Sequence, residues 1–230
     1  MNSHVRRNRV RGRFRGVFIP VSAAASKVEL DMPHRVKPRV ATASLSAEYL
    51  PTSQLARAFW FVGLALIGTA VLTISAKIKV DLVYVNVTMQ TFALFAISAL
   101  YGSRLAMATV ALYLLEGVLG MPVFTGTPEK GIGLAYMVGP TGGYLLSYLA
   151  AAWIVGRAAD KGLARNPFAL GGAMLLAEAV ILLMGAGWMA YLFGLEKAIA
   201  FGFGAFIVGD LVKLALAACG VPAMMSLLKR

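Results

Sequence analysis

Residues 59–76 read FWFVGLALIGTAVLTISA, a run of eighteen positions without a charged side chain. The hydrocarbon core of a bilayer is about 30 Å thick and a helix rises about 1.5 Å per residue, so about 20 mostly apolar residues span it. This run therefore predicts a transmembrane helix.

Five further apolar runs follow along the chain. The six predicted spans are 59–76, 88–101, 105–120, 139–155, 168–187 and 199–228, and residues 188–195 either extend the fifth span or form an interfacial turn. Hydrophobic residues make up 59% of the chain and charged residues 14%, against roughly 45 to 50% and about 25% in globular proteins. The predicted fold class is an all-α membrane protein with six transmembrane helices in residues 59–230.

The basic residues of the short connections predict the orientation, because cytoplasmic loops carry an excess of Lys and Arg. Seven fall on one side of the predicted spans and four on the other. The first group is Arg57, Arg104, Arg157, Lys161, Arg165, Lys229 and Arg230; the second is Lys77, Lys79, Lys130 and Lys197. The count predicts a multi-pass protein of the cell membrane with both termini in the cytoplasm.

Residues 1–58 form a basic N-terminal extension, with 11 basic and 3 acidic residues. Its apolar stretch around 17–21 is shorter than the roughly 7 to 15 residues of a secretory signal and contains Pro20. A transit peptide, sequence upstream of the true start, or an Arg-rich contact with anionic lipid or nucleic acid are the other interpretations. We expect a disordered extension without a nucleic-acid partner.

The apolar body offers little for catalysis. Both histidines, His4 and His34, precede it, and Cys219 is the one cysteine. Hydrolases that depend on His as a base or on His-ligated zinc are therefore disfavoured, and no catalytic residue, metal site or cofactor is predicted.

Asp210 and Lys213 lie three residues apart inside the sixth predicted span, which places them on one helical face. Charged side chains inside a membrane span usually line a cavity or pair with each other. The two interpretations are an internal ion pair and a site that offers a carboxylate and an ammonium to a ligand. Glu116 and Glu178 also lie in apolar runs, and we expect structural roles for both.

Polar residues cluster at the start of the second predicted span, where Asn86 and Gln90 are four apart and Thr88 and Thr91 three apart. Threonine often bonds back to its own helix. The amide of Gln90 needs other partners, which makes it a candidate ligand contact.

The connection 121–138 mixes turn formers with Phe124, Tyr136 and Met137, and it predicts a flap over an outward-facing cavity. It leads into Gly139-Pro-Thr-Gly-Gly-Tyr144. Pro140 suits a first helical turn, and the glycines would let backbone N–H groups approach a ligand. Close helix packing is the alternative role of the glycines.

In combination these segments resemble the BioY family, the biotin-specific membrane subunits (S components) of energy-coupling-factor (ECF) vitamin transporters. The resemblance rests on Thr-Met-Gln-Thr-Phe at 88–92, Gly-Met-Pro-Val-Phe at 120–124, Gly-Thr-Pro-Glu-Lys-Gly-Ile-Gly at 126–133, the 139–144 segment, and Gly209-Asp210 with Lys213. It implies six transmembrane helices and a biotin site under outer loops. The implied substrate-binding residues are Gln90, Thr91, Thr141, Gly142, Gly143, Tyr144, Asp210 and Lys213.

The resemblance also implies partners: biotin, the lipid bilayer, a coupling transmembrane subunit and paired ATPases. Ala65, Thr69 and Thr73 recur every four residues on the first span and are the candidate contact with the coupling subunit. A binding subunit for another small vitamin and a self-sufficient secondary transporter, coupled to protons through Asp210 or Glu178, are the alternative functions. An intramembrane enzyme is the third, disfavoured by the missing histidines.

Overall fold

The computed structural model describes residues 51–81, 86–129, 131–203 and 207–227. Most of the predicted basic extension, residues 1–50, lies outside these ranges. The first helix, α1 (Gln54–Lys77), begins earlier than the predicted residue 59. Its cap is Ser53, whose hydroxyl oxygen accepts a hydrogen bond from the Ala56 N–H at 3.1 Å, as is usual for a serine at this position.

A short hairpin and six more α-helices follow. They are β1 (Lys79–Asp81), β2 (Asn86–Thr88), α2 (Gln90–Val118), α3 (Gly133–Met137), α4 (Gly142–Asp160), α5 (Pro167–Phe193), α6 (Leu195–Lys197) and α7 (Ile207–Leu227), with a 3-10 turn at Leu163–Arg165 and a π-helical turn at Ala198–Phe203. Within the described residues, α1, α2, α5 and residues 209–227 of α7 are long and apolar enough to cross a membrane. The prediction of a helical, multi-pass membrane protein is confirmed. Residues 188–193 extend the fifth predicted span.

The helix α2 is bent back on itself at Gly102. Gln90 Nε2 lies 2.6 Å from the hydroxyl oxygen of Tyr113, 23 residues further on, whereas a straight helix would separate these positions by about 34 Å. Gly102 has φ 76° and ψ 171°. The two halves therefore run antiparallel, which agrees with the separate predicted spans 88–101 and 105–120.

The turn at Gly102 is held against the end of α4. The N–H and the hydroxyl of Ser103 both donate to Asp160 Oδ2, at 3.2 and 2.5 Å. A side chain at Gly156 would overlap the backbone of Ser103, so glycine is required for this approach. On the same helix Ala151, Ala152, Val155 and Ala159 are fully buried, and α4 packs against both α2 and α5.

We expect Gly102→Ala to destabilise the protein, because the φ and ψ of this residue fall in a region that only glycine adopts readily. Such strain costs about 1–3 kcal/mol. Gly63→Ala is the control, since Gly63 lies in α1 with no atom within 4 Å of an added Cβ, and helical Gly→Ala gains about 0.5–1 kcal/mol. The unfolding temperatures of the two variants are compared in detergent. Wild-type stability of Gly102→Ala would contradict the conformation described for Gly102 at this turn.

A short hairpin is a local exception to the all-α prediction within the described residues. The strands β1 and β2 pair antiparallel, with Lys79 opposite Thr88 and Asp81 opposite Asn86. Residues 86–88 are therefore extended, and the helical spacing predicted for Asn86 with Gln90 is wrong. The run KVDLVYVNVT at 79–88 is rich in β-branched and aromatic residues, which is typical of strands.

The predicted partner contact on α1 also needs correction. Ala65 is 8% exposed and Thr69 4%, and Thr69 Oγ1 donates to Glu116 Oε1 at 3.1 Å. Thr73 donates back to the Thr69 carbonyl at 2.8 Å. Ala65 and Thr69 therefore pack against the protein's own α2, and Glu116 has the structural role that we expected.

Candidate functional site

A cavity of about 240 Å³ lies where the ends of α2, α4, α5 and α7 meet the connection between α2 and α4. This volume is just below the roughly 300–1,000 Å³ of pockets for drug-sized ligands, so it suits a small molecule. Six of the eight predicted site residues line it: Gln90, Thr91, Thr141, Tyr144, Asp210 and Lys213.

Asp210 and Lys213 form a buried ion pair on one wall of this cavity. The Lys213 ammonium pairs with Asp210 Oδ1 and donates to the Thr88 carbonyl at 2.9 Å. The hydroxyl of Thr91 donates to the same carboxylate oxygen of Asp210 at 3.4 Å. An ammonium has three N–H donors, and within the described residues these two contacts use two of them. These contacts hold the pair in place on the cavity wall and leave one N–H of Lys213 and the second carboxylate oxygen of Asp210 for other partners.

Gln90 occupies the adjoining wall with its amide oriented by two tyrosines. Its Nε2 donates to the Tyr113 hydroxyl at 2.6 Å, and its Oε1 accepts from the Tyr148 hydroxyl at 3.4 Å. Tyr113 in turn donates to the Val123 carbonyl at 3.0 Å. This chain of hydrogen bonds assigns the amide orientation, because only one orientation lets each group donate to an acceptor.

Gly142 and Gly143 are placed differently from the other predicted site residues. Neither lines the cavity. A side chain at Gly142 would overlap the Met137 carbonyl, and one at Gly143 would overlap Trp188. The Gly142 N–H is also used, since it donates to the Gly139 carbonyl at 3.1 Å. This placement agrees with the close-packing alternative.

The connection between α2 and α4 covers the cavity, and Thr125, Tyr136, Pro140 and Thr141 belong to both. Phe124 stacks on Tyr136 with ring centroids 5.2 Å apart. The Tyr136 hydroxyl donates to the Thr125 carbonyl at 2.5 Å, and burial raises the pKa of Tyr136. Phe124 and Tyr136 order this segment as the sequence predicts, with Met137 packed beside the core.

Two further residues hold the connection between α2 and α4 in place, and the sequence did not predict either of them. The Lys77 ammonium donates to the carbonyls of Phe124 and Thr127, at 2.8 and 2.9 Å, and to the Thr127 hydroxyl at 2.9 Å. The indole N–H of Trp188 donates to the Gly139 carbonyl at 2.9 Å. Both residues are remote in sequence from their partners, so no local pattern marks them.

Tyr148 also lines the cavity and was not predicted. It lies four residues after Tyr144, so helical spacing could have indicated that it shares the same face of α4.

A larger space of about 640 Å³ lies between α1, α2 and α7. Its lining among the described residues holds no charged side chain, and its polar groups are those of Ser75 and Tyr101. The smaller cavity is therefore the candidate site, since it combines an apolar wall of Leu145, Ile181 and Leu182 with convergent polar groups. Such a site can hold a small molecule that has N–H donors, an acceptor and an apolar ring system.

Several known proteins are similar to this chain. The BioY family model matches residues 47–230. A probable biotin transporter BioY of Pyrococcus horikoshii is 34% identical over 156 residues, covering 68% of this chain and 90% of that protein. The biotin transporter BioY of Thermotoga maritima is 36% identical over 154 residues, covering 66% and 88%. The crystal structure of an S-component for biotin from an ECF-type ABC transporter superposes with a TM-score of 0.61 and 22% identity, covering 76% of this chain and 95% of that one, which shows the shared fold.

Proposed function

Because the chain belongs to the BioY family, we propose that it is a biotin-binding membrane subunit that mediates biotin uptake as the substrate-capture component of an ECF-type ABC transporter. It is a transporter subunit rather than an enzyme. The observation that carries this proposal is the buried Asp210–Lys213 pair on the wall of a cavity of small-ligand size. The relatives named as biotin transporters supply the identity of the ligand.

Each polar group of biotin has a partner in this site. The ureido N–H groups donate to the Asp210 carboxylate, and the ureido carbonyl accepts from the second N–H of Gln90 Nε2, while Thr91 supports the carboxylate. The apolar bicycle packs on the ring of Tyr144, and the valerate carboxylate meets the third N–H of Lys213. Thr141 closes the cavity from the covering segment, while Gly142 and Gly143 let α4 approach α5 and so bring Tyr144 to the wall.

The proposed membrane spans are six: α1, the two halves of α2, α4, α5 and α7. Tyr144, in the first turn of α4, lies at the cavity, and Asp160, the last residue of α4, lies beside the Gly102 turn. This helix has 19 residues and is about 28 Å long. Arg104, Arg157, Lys161 and Arg165 are exposed on the Gly102 side. The positive-inside rule then places that side in the cytoplasm with both termini, and the cavity opens outward.

Uptake by this route needs a coupling transmembrane subunit and paired ATPases, which are the proposed partners. Since Ala65 and Thr69 are buried against α2, the contact on α1 must use other residues. The exposed apolar face of this helix, which includes Trp60, Ile67 and Val71, is the available surface.

Equilibrium binding to the purified chain tests the proposed function. Biotin, thiamine and riboflavin are titrated separately by calorimetry in detergent, and saturable binding of biotin alone is expected. Selectivity for another vitamin would overturn the ligand assignment. Biotin counterflow into liposomes that contain only this chain would replace the ECF-dependent mechanism with a self-sufficient transporter.

Lys77→Met is expected to speed biotin dissociation about tenfold, because it removes three hydrogen bonds that hold the covering segment. Bonds to a charged group contribute about 1.5–3 kcal/mol each, and part of this total is regained from water. Release of radiolabelled biotin measures the rate. Lys161→Met, an exposed lysine beside the other end of α4, is the control, and equal rates in the two variants would contradict the anchoring role.

A further inference from the structure

Glu178 is a buried carboxyl that the binding site described above does not use. It lies in α5 and is 5% exposed. Its Oε1 and Oε2 are the only buried side-chain nitrogen or oxygen atoms that lack a hydrogen-bond partner within the described residues. A buried polar group without a partner is costly, so its retention calls for an explanation.

The groups that face Glu178 come from the two neighbouring helices. Asp210 and Lys213 of α7 act on it electrostatically, and so does the phenol of Tyr148 from α4. Glu178 and Asp210 also line one space of about 360 Å³ between α5 and α7. Because Asp210 lines the candidate site as well, Glu178 stands behind Asp210 and outside the ligand cavity.

The charges of this cluster do not balance if both carboxyls are ionised. Lys213 already pairs with Asp210, so an ionised Glu178 would be an uncompensated negative charge in an apolar helix, beside another carboxylate. A proton on Glu178 removes that charge. It also creates an O–H donor next to Asp210, whose second carboxylate oxygen can accept it.

We propose that Glu178 is a positioning residue that must hold a proton when the anionic ligand binds, so that biotin binding is coupled to one proton. The inference rests on the proposed function. A protonated Glu178 keeps the empty cluster neutral and supports the Asp210 carboxylate from behind. Ionisation of Glu178 places a second negative charge beside the Asp210 carboxylate. That charge repels the valerate carboxylate of biotin, which is to bind Lys213.

The test is the pH dependence of biotin binding to the full chain from about pH 6 to about pH 9, where free carboxylic acids stay ionised and lysines stay charged. The Kd of the wild type is expected to be constant at low pH. It then rises by up to tenfold per pH unit, once Glu178 loses its proton in the ligand-free protein. Glu178→Gln, whose amide keeps a donor and cannot ionise, is expected to bind within about threefold of the wild type at pH 6 and to show a flat profile.

Calorimetry in buffers of different ionisation enthalpy gives a second readout that needs no variant. The wild type is expected to take up close to one proton per biotin in the range where its Kd rises, and Glu178→Gln none. The control is Glu116→Gln, because Glu116 bonds to Thr69 away from this cluster, and it is expected to keep the wild-type profile.

The same pH profile in the wild type and Glu178→Gln would overturn the inference, as would binding by the wild type without proton uptake. A loss of more than tenfold by Glu178→Gln at pH 6 would overturn it too, since the ionised carboxylate would then be the binding form. These results leave the proposed function intact because biotin still binds to the wild type. A wild-type chain that binds no biotin at any pH overturns the proposed function itself, and this inference with it.

Discussion

Asp210→Asn is expected to weaken biotin binding about a hundredfold. The substitution keeps the shape of the side chain but removes the carboxylate that pairs with Lys213 and accepts from Thr91. It also turns an NH₂ group toward the ureido N–H donors. Hydrogen bonds to a charged group contribute about 1.5–3 kcal/mol, and each 1.4 kcal/mol is tenfold in Kd. Calorimetric titration in detergent measures the change.

Loss of binding has to be separated from loss of the fold, because Asp210→Asn leaves a buried ammonium without its counter-charge. Breaking one side of a buried pair costs about 3–5 kcal/mol of stability, whereas replacing both partners is often neutral. The double variant Asp210→Leu with Lys213→Met is therefore expected to unfold near the wild-type temperature and still bind no biotin. Glu116→Gln controls for the loss of a carboxylate. Unchanged biotin affinity in Asp210→Asn would refute the role of Asp210.

Gly185→Ala is expected to weaken biotin binding at least tenfold. The ring of Tyr144 occupies the place where a Cβ on Gly185 would lie, and Tyr144 lines the cavity. The extra methyl group must push the ring away from α5 and toward the ligand. Forcing added volume into a packed site costs about 1–3 kcal/mol. Biotin affinity and thermal unfolding in detergent measure the two consequences.

Gly187→Ala is the matched control, since it makes the same substitution two residues further along α5. Gly187 is exposed, and an added Cβ there has no atom within 4 Å. We expect wild-type affinity and unchanged or slightly higher stability. Equal biotin affinities for the two glycine variants would show that the ring of Tyr144 does not shape the site.

The helical spans could be predicted because a bilayer imposes their length on the sequence. The run 59–76 lies within α1 and the run 168–187 within α5. The i,i+3 spacing of Asp210 and Lys213 was enough to predict that they meet, because both lie in one helix. The two halves of α2 could also be predicted, because they are separate apolar runs. The positive φ of Gly102 between them could not be predicted from the neighbouring residues.

What the sequence could not show depends on contacts between remote segments. The contact of Lys77 with Phe124 and Thr127 joins residues about 50 positions apart, and nothing near either end marks it. Whether small residues face the protein interior or a partner likewise depends on the tertiary structure. For this reason the sequence predicted a partner contact at Ala65 and Thr69, which are buried within the protein. The pairing of Lys79–Asp81 with Asn86–Thr88 is a different case, because the β-branched and aromatic residues of this stretch favour strands even though its apolar content resembles that of a membrane span.

The most direct test of the central claim is an experimental structure of the chain with biotin bound. We predict the ureido ring beside Asp210 and Gln90, the bicycle against Tyr144, and the valerate carboxylate within hydrogen-bond distance of Lys213 Nζ. Biotin bound elsewhere, with the Asp210–Lys213 pair untouched by ligand, would contradict the account.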